Sequence, residues 1–389
     1  MPHPPGDAPT VPPPPRSASA PASSLFGIHR DQLAEAFVAW NEPRWRVDQV
    51  LDWAYAKRAP GWDAMTNLPR ALRARLAERF HLQLPELVQV QGAADSTRKF
   101  LWRLEDRSLI ESVLIPSNPA LYGDQADRRT LCLSTQVGCA YGCRFCASGL
   151  EGWKRNLTIH EIVGQVLAVE RRVHAESRPP GDTPAAVSDE RGVDNLVVMG
   201  MGEPLANYDA LMAALRVLNA PWGAGIGARK ITVSTSGLVP QIRRLAAEPE
   251  QFRLAISLHG ATNAVRDRIM PINRKYPVEA LATACEEYVR LKGRMITLEY
   301  ILLAGVNDGR EQAAPLAALA RRLHAKVNLI PYNVVEGLEW SRPEDRQCEA
   351  FAHALRDLGT LTTLRLEKGH DIDAACGQLR LKTERAEAA

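Results

Sequence analysis

The segment Gly138-Cys139-Ala140-Tyr141-Gly142-Cys143-Arg144-Phe145-Cys146 sets three cysteines at C-x3-C-x2-C spacing, with an aromatic residue before the last. Three thiolates on one short loop can hold three irons of a cube-shaped iron–sulfur cluster. The fourth iron then has no protein ligand from this loop. An open iron is what a cluster needs if it is to bind a substrate and pass it an electron directly. A zinc site reads differently, as two C-x2-C pairs or as Cys2His2. No second pair follows here, and the nearest downstream histidine, His160, stands at the start of an expected helix. Glycines flank two of the three cysteines, and cysteines that pack as small hydrophobes rarely bunch this tightly.

Outward from this loop the pattern alternates. Strand-like runs LCLST, NLVVMG, KITVST, RLAISL, MITLEYIL and KVNLIPY begin near residues 131, 195, 230, 253, 295 and 326. Amphipathic helices are expected between them. The first opens on the capping-box pattern Thr158-Ile159-His160-Glu161, and others are expected near 208–219, 238–247, 278–292 and 311–324. Six alternations predict a parallel sheet with helices outside. Six falls short of a closed eight-fold barrel, so the fold class read from sequence is α/β, an open (β/α)6 partial TIM barrel. Its site is expected at the C-terminal ends of the strands.

This barrel is expected over residues 130–340. Residues 1–24, rich in Pro and Ala, read as a disordered tail. Residues 25–90 read as a small helical accessory unit with Leu33, Phe37, Val47, Val50, Leu51 and Trp53 as its core. Its tryptophans, Trp40, Trp45, Trp53 and Trp62, fit either a core or a surface that stacks on bases. Its arginines, Arg70, Arg73, Arg75 and Arg79, fit either a solvated face or phosphate contacts. Residues 91–129 read as short strands and a linker. Alternation in Lys99-Phe100-Leu101-Trp102-Arg103-Leu104 supports a hairpin. In the following run LIESVLI, Glu111 points either to solvent or into a site. Residues 177–192 read as an inserted surface loop. Residues 341–389 read as a C-terminal extension with a helix near 343–358, the strand TLTTLRLEKG, and a frayed end KTERAEAA.

Composition limits the alternatives. The chain has 389 residues and a formal net charge of +3, which is compatible with nucleic acid without pointing to it. Seven cysteines in no regular framework argue against a secreted disulfide scaffold. The remaining four are Cys132, Cys285, Cys348 and Cys376, and an oxygen-sensitive cluster fits a reducing cytoplasm. No run of apolar residues is long enough for a transmembrane helix, so no membrane association is expected.

Polar residues recur where the strands should end. These are Gly202-Glu203-Pro204 after the second, Ser234-Thr235-Ser236-Gly237 after the third, Ser257-Leu258-His259-Gly260 after the fourth and Tyr332-Asn333 after the sixth. Each could be a turn or a helix cap. Together they suit a ligand with ribose hydroxyls, an ammonium and a carboxylate. Cys376 lies in Asp371-Ile-Asp373-Ala-Ala-Cys376-Gly377-Gln378-Leu379 and reads equally as a reactive thiol or a structural one. Cys132, in the first strand, is expected near the same mouth. Two thiols outside the cluster could serve as nucleophile and resolving partner. Cys285 and Cys348 read as packing residues.

The cysteine spacing, with Phe145 before Cys146, resembles the signature of the radical S-adenosylmethionine (SAM) superfamily. Together, WRVDQVLDWAYAKRAPGWDAMTNLP, TLCLSTQVGCAYGCRFCASG, VVMGMGEPLANYD, ITVSTSGLVP, LAISLHG, NLIPYN and DIDAACGQL resemble the RlmN branch of radical SAM RNA methyltransferases. The resemblance runs in order from about residue 25 to 380. It implies a [4Fe–4S] cluster on Cys139, Cys143 and Cys146, with SAM on its open iron, cleaved reductively to a 5′-deoxyadenosyl radical. It implies a SAM site lined by Gly202, Glu203, Ser234, Ser257, Leu258, His259 and Asn333. It further implies methylation of carbon 2 of an adenine in 23S rRNA and in tRNA, consuming two SAM per turnover. Cys376 would carry the methyl group, Glu111 would accept a proton, and Cys132 would attack Cys376 as the protein–RNA adduct collapses, leaving a disulfide. An external flavodoxin- or ferredoxin-like electron donor, a monomeric state and a cytoplasmic location are expected with it.

Three rivals stand beside this reading. Cfr-type relatives share the scaffold and methylate carbon 8, though the N-terminal motif and DIDAACGQL favour the carbon 2 branch. A zinc-binding RNA module would be colourless and would not cleave SAM. A radical SAM activase without RNA leaves the Cys376 loop unexplained.

Overall fold

In the computed structural model, residues 22–92, 96–116, 128–176, 191–365 and 377–388 are described. Residues 1–21 of the expected N-terminal tail, most of the 116–129 and 177–192 loops, and Cys376 itself lie outside them; the end of that tail is ordered, because Ser23–Ser24 pairs as a strand with Phe80–His81. Six parallel strands follow the six apolar runs. They are preceded by a three-helix unit and an antiparallel extension, so labels are assigned in chain order. The N-terminal unit comprises β1 (Ser23–Ser24), α1 (Arg30–Ala39), α2 (Trp45–Leu51), α3 (Arg70–Arg79) and β2 (Phe80–His81). Next come β3 (Glu86–Gln91), β4 (Arg98–Arg103), β5 (Leu109–Pro116), β6 (Arg129–Cys132), and the hairpin of β7 (Gln136–Gly138) with β8 (Trp153–Asn156). The alternating part runs α4 (Ile159–Glu176), β9 (Asn195–Val198), α5 (Tyr208–Asn219), β10 (Ile231–Thr235), α6 (Val239–Ala247), β11 (Arg253–Ser257), α7 (Asn263–Ile269), α8 (Val278–Lys292), β12 (Ile296–Leu302), α9 (Ala313–Arg322) and β13 (Ala325–Pro331). The chain closes with α10 (Asp345–Asp357), β14 (Thr362–Leu364) and α11 (Gln378–Ala388).

The main sheet is open, in the order β14-β13-β12-β11-β10-β9-β6-β5-β4-β3. From β6 to β14 neighbouring strands are parallel, and β3, β4 and β5 extend the sheet antiparallel beyond β6. The parallel strands are short apolar runs because helices cover one face and the barrel interior the other. Helices form where apolar residues recur at three and four residues. In α8, Val278, Leu281, Ala282, Cys285 and Tyr288 are buried, and the helix stops at Gly293 in the left-handed conformation (φ 61°). In α5, Leu211, Met212, Leu215 and Leu218 face the sheet. Each such side chain stabilises the fold by about 1.5–3 kcal/mol on burial.

Three differences from the sequence reading have physical causes. The end of the 25–90 unit is not helical, because Glu86–Gln91 pairs with β4 as the outer strand of the sheet. The C-terminal KTERAEAA is helical to Ala388, because Arg380, Leu379 and Leu381 are buried and anchor it. The short helix α7 carries few apolar residues in sequence, yet buries Arg266 and Ile269. In the N-terminal unit Leu33, Phe37, Val47, Val50 and Leu51 are core, Trp40, Trp53 and Trp62 are half-buried against it, and Trp45 is exposed. The unit docks on α4 through the Arg58–Glu170 ion pair (3.0 Å) and an Arg171 hydrogen bond to the Ala59 carbonyl (2.6 Å).

The capping box at α4 is present. The Glu161 carboxylate accepts from the Thr158 amide (2.8 Å), and the Thr158 hydroxyl accepts from the Glu161 amide (3.4 Å). One turn on, the fully buried Gln165 bridges β5 and the start of the cluster-loop segment. Its Oε1 accepts from Ser112 Oγ (2.9 Å) and the Ser134 amide (3.0 Å), and its Nε2 donates to the Ser134 carbonyl (3.0 Å). Gln165→Leu preserves bulk but strands the Ser134 amide and carbonyl, so denaturant unfolding should show a loss of about 3 kcal/mol; an unchanged midpoint would contradict this bridging role.

Candidate active site

The thiol loop hangs between β7 and β8. Gly138 is left-handed (φ 77°), and a Cβ there would lie 2.0 Å from the Gly152 carbonyl oxygen, so only glycine lets the two arms close. The Cys139 amide then donates to that carbonyl (2.9 Å). Farther along, the Arg144 amide donates to the Ile269 carbonyl (3.0 Å) and the Trp340 indole donates to the Arg144 carbonyl (2.8 Å). Phe145 is buried and meets the His259 ring edge-on, with centroids 5.0 Å apart. The loop is thereby pinned from α7, from the segment after β13 and from the end of β11.

Cys139, Cys143 and Cys146 are half-buried and influence one another electrostatically. Loss of water and the neighbouring thiols push Cys139 up to about 12 and raise Cys143 further. Three thiolates so placed are unfavourable without a compensating multivalent cation, and an iron–sulfur cluster supplies one. Among the described residues no three His, Cys, Asp or Glu side chains are grouped to hold a metal ion. A cube takes each sulfur on a separate iron.

Glu203 follows β9 and is 3 % exposed. Gly202 before it is left-handed (φ 101°), and a Cβ there would lie 2.6 Å from that of Gln136. That close approach lets Gln136 Oε1 accept from the Glu203 amide (2.8 Å). The Glu203 carboxylate accepts from the Ser236 amide (2.7 Å), the Ser236 hydroxyl (2.8 Å) and the Leu205 amide (3.1 Å). Desolvation still raises its pKa against these hydrogen bonds. The hydroxyls of Ser234 and Ser257 meet at 3.2 Å. Leu258 is buried, and Asn333 is half-buried just past β13.

His259 is buried in a left-handed conformation (φ 55°), and its Nδ1 accepts from the Ile301 amide (3.1 Å). That hydrogen bond places the proton of the neutral ring on Nε2. Burial, and then the charge of Arg266, hold its pKa down to about 3. Arg266 is fully buried and remains cationic at neutral pH, its pKa lowered by burial to about 10. It donates to the carbonyls of Ser236 (2.9 Å), Ser257 (3.3 Å) and Leu258, and to Asn273 Oδ1 (3.0 Å). It thus ties the ends of β10 and β11 together beneath the thiol loop.

A second group of residues meets at the antiparallel edge. Glu111 on β5 is 3 % exposed and points inward, which decides between the two orientations open from sequence. Its Oε2 accepts from the Gly377 amide (2.8 Å) and pairs with Lys99 Nζ (3.2 Å), and its Oε1 accepts from the Arg380 amide (2.7 Å). Cys132 on β6 is buried and faces Val113, two residues from Glu111 along β5, so it shares the Glu111 face of the sheet. Gly377 is left-handed (φ 85°), and a Cβ there would lie 2.9 Å from Ser148 Oγ. The residue that follows Cys376 in the chain therefore packs against the helical turn that follows Cys146. Cys285 and Cys348 are buried in the core.

Sequence reasoning missed Lys99, Gln136, Arg266 and the buried Glu299, which accepts from Asn328 Nδ2 (2.7 Å). Polar residues inside apolar runs were the available signal for Lys99 and Glu299. Nothing in the local pattern marks Gln136 or Arg266.

The fold and thiol loop define a radical SAM protein. The profile "Radical SAM superfamily" matches residues 133–316, and "Ribosomal RNA large subunit methyltransferase N-terminal domain" matches residues 23–82. A curated relative from Opitutus terrae, "Probable dual-specificity RNA methyltransferase RlmN 3", is 57% identical over 361 residues, covering 93% of this chain and 95% of its own. A relative from Akkermansia muciniphila, "Probable dual-specificity RNA methyltransferase RlmN", is 53% identical over 341 residues, covering 88% of this chain and 90% of its own. The crystal structure of a radical SAM methyltransferase from Sphaerobacter thermophilus superposes with a TM-score of 0.82 at 43% identity, covering 92% of this chain and 98% of that one. The chain belongs to the RlmN family of RNA methyltransferases. Members of the radical SAM superfamily use a [4Fe–4S] cluster and SAM, and the donor set above fits that pair. No helix among the described residues is long and apolar enough to cross a membrane.

The state of His259 gives a testable linkage. Below its ordinary value near 6.5 the unfolded chain takes up a proton that the folded ring refuses until about 3, so stability falls as pH drops through that window. The loss should approach about 1.4 kcal/mol per pH unit. His259→Asn keeps an acceptor for Ile301 and tolerates positive φ. Denaturant unfolding of the cluster-free protein from about pH 8 down to about pH 4 should show a shallower acid slope for the variant; parallel slopes would contradict the assignment.

Proposed function

We propose that this chain methylates carbon 2 of adenine in 23S rRNA and in tRNA, with Cys376 as the carrier of the methyl group. The observation that carries this reading is the contact of Gly377 with both Glu111 and Ser148, which ties the chain beside Cys376 to the thiol loop and to the face that bears Cys132. Cys139, Cys143 and Cys146 would hold the cluster. Gly202, Glu203, Ser234, Ser257, Leu258, His259 and Asn333 would line the SAM site, Glu203 as an acceptor for an ammonium and the two serines as partners for hydroxyls.

When bound, the cluster and SAM supply one-electron cleavage of a sulfonium and hence a radical that abstracts hydrogen. The protein's own residues do the rest. Carbon 2 of adenine is electron-poor, so direct displacement at the SAM methyl is closed to it. Carrying the methyl on the Cys376 sulfur allows it to lose a hydrogen atom and add to the ring as a carbon radical, dividing one inaccessible step into feasible ones. Glu111 would accept the proton lost from carbon 2 as the ring radical gives up its odd electron to the cofactor pair, and the Cys132 thiolate would attack the Cys376 sulfur, forming a disulfide as the sulfur–carbon bond breaks and the released methylene takes up a proton to become the methyl group. An external reductant would then reopen that bond. The target base must leave its stack to reach such a mouth, and the N-terminal unit, with exposed Trp45 beside Arg46, suits a grip on folded RNA. An external flavodoxin- or ferredoxin-like donor and a monomeric cytoplasmic enzyme complete the reading.

Mass spectrometry of RNA digested after reaction with methyl-deuterated SAM should show a product methyl one deuterium short of the donor's. Full retention of label would overturn the methylene route. Cys376→Ala should yield no methylated RNA, and Cys132→Ala should accumulate a covalent protein–RNA species; free methylated RNA from either at the normal rate would count against its role.

A further inference from the structure

Lys99 is fully buried on β4, in a sheet position where alternation alone would suggest solvent. Register places it opposite Val113, and Cys132 opposite Val113 from the other side, so Lys99, Val113 and Cys132 form one cross-strand row. Glu111 lies two residues from Val113 on the same face. Lys99 Nζ and the Gly377 amide both address Oε2 of Glu111, at 3.2 and 2.8 Å, while the Arg380 amide addresses Oε1 at 2.7 Å. The carboxylate thus satisfies the free amides at the start of α11, and its charge favours the positive end of the helix. A buried carboxylate in this role needs a counter-charge, and Lys99 supplies it.

We infer that Lys99 is a positioning residue of the methyl-transfer reaction: by pairing with Glu111 it fixes the first turn of α11, the chain that directly follows Cys376. The inference rests on the function proposed above. It also gives Glu111 two engagements that compete. Both of its oxygens are held by donors, so taking a proton on either one removes an acceptor from the helix start. A proton on Oε2 would compete with the Gly377 amide, and one on Oε1 with the Arg380 amide.

The test uses the full chain with reconstituted cluster, in Lys99→Met, Lys99→Arg and the neutral double variant Lys99→Met/Glu111→Gln. Hydrogen exchange is read at the amides of Gly377–Leu381, and S-methylation of Cys376 by SAM without RNA is read by peptide mass spectrometry. Lys99→Met should exchange these amides about tenfold faster or more while the amides of β10–β12 keep their protection. It should also slow Cys376 methylation, and Lys99→Arg should restore both. Unchanged exchange in the α11 first turn, or failure of Lys99→Arg to restore methylation in a folded protein, would overturn the inference. If Lys99→Met does not fold, the double variant carries the test, and wild-type exchange there overturns it. A wild type that never methylates Cys376 while its α11 amides respond as expected would defeat the proposed function and leave the structural role of Lys99 standing.

Discussion

The carboxylate of Glu111 lies where the antiparallel edge of the sheet, a buried lysine and the last helix of the chain meet. The last helix depends on that meeting point. Without an acceptor for the amides of Gly377 and Arg380, α11 would begin with buried, unpaired donors, each costing about 1–3 kcal/mol. With it, Leu379 packs on Leu101 and Leu109, and Arg380 reaches Glu384 (2.7 Å) and Glu151 (3.5 Å), the latter on the arm that closes the thiol loop. An edge extension of a parallel sheet has thus become the platform that holds the start of the last helix beside the thiol loop.

The electrostatics of that mouth are arranged for a cationic guest. Cys139, Cys143 and the buried Glu203 all resist ionisation through desolvation. His259 stays neutral, and the buried guanidinium of Arg266 beneath them spends its donors on backbone carbonyls and Asn273. Negative charge in this site is therefore unfavourable until cations arrive to balance it, which an iron–sulfur cluster and a sulfonium would both do. A neutral imidazole adds no repulsion to such a ligand.

The parallel strands and most helices were legible because each is an apolar run or a periodic stripe long enough to declare itself. The thiol spacing, the glycines at Gly138 and Gly202, and the polar strand ends were legible because their chemistry is local. The inward turn of Glu111 was not, since LIESVLI reads the same whether the covering face is water or a helix. The helix that covers it, α11, looks like a frayed tail until one sees Arg380 and Leu379 buried. Lys99 was hidden for the same reason. Arg266 carries no local mark at all, because its partners are carbonyls at the ends of two strands and an asparagine on the far side of α7. What sequence withheld, in each case, was which long-range element would arrive to cover a given face.

If Cys376 carries the methyl group, as proposed, it must meet Cys132 on the Glu111 face beside the cluster loop. Non-reducing peptide mapping of the cluster-loaded protein after mild oxidation tests it most directly, because the cluster shields Cys139, Cys143 and Cys146. A single bridged peptide pair joining Cys132 to Cys376 is the predicted result. Recovery of Cys376 as a free thiol while Cys132 is oxidised elsewhere, or pairing of Cys376 with Cys285 or Cys348, would contradict the account.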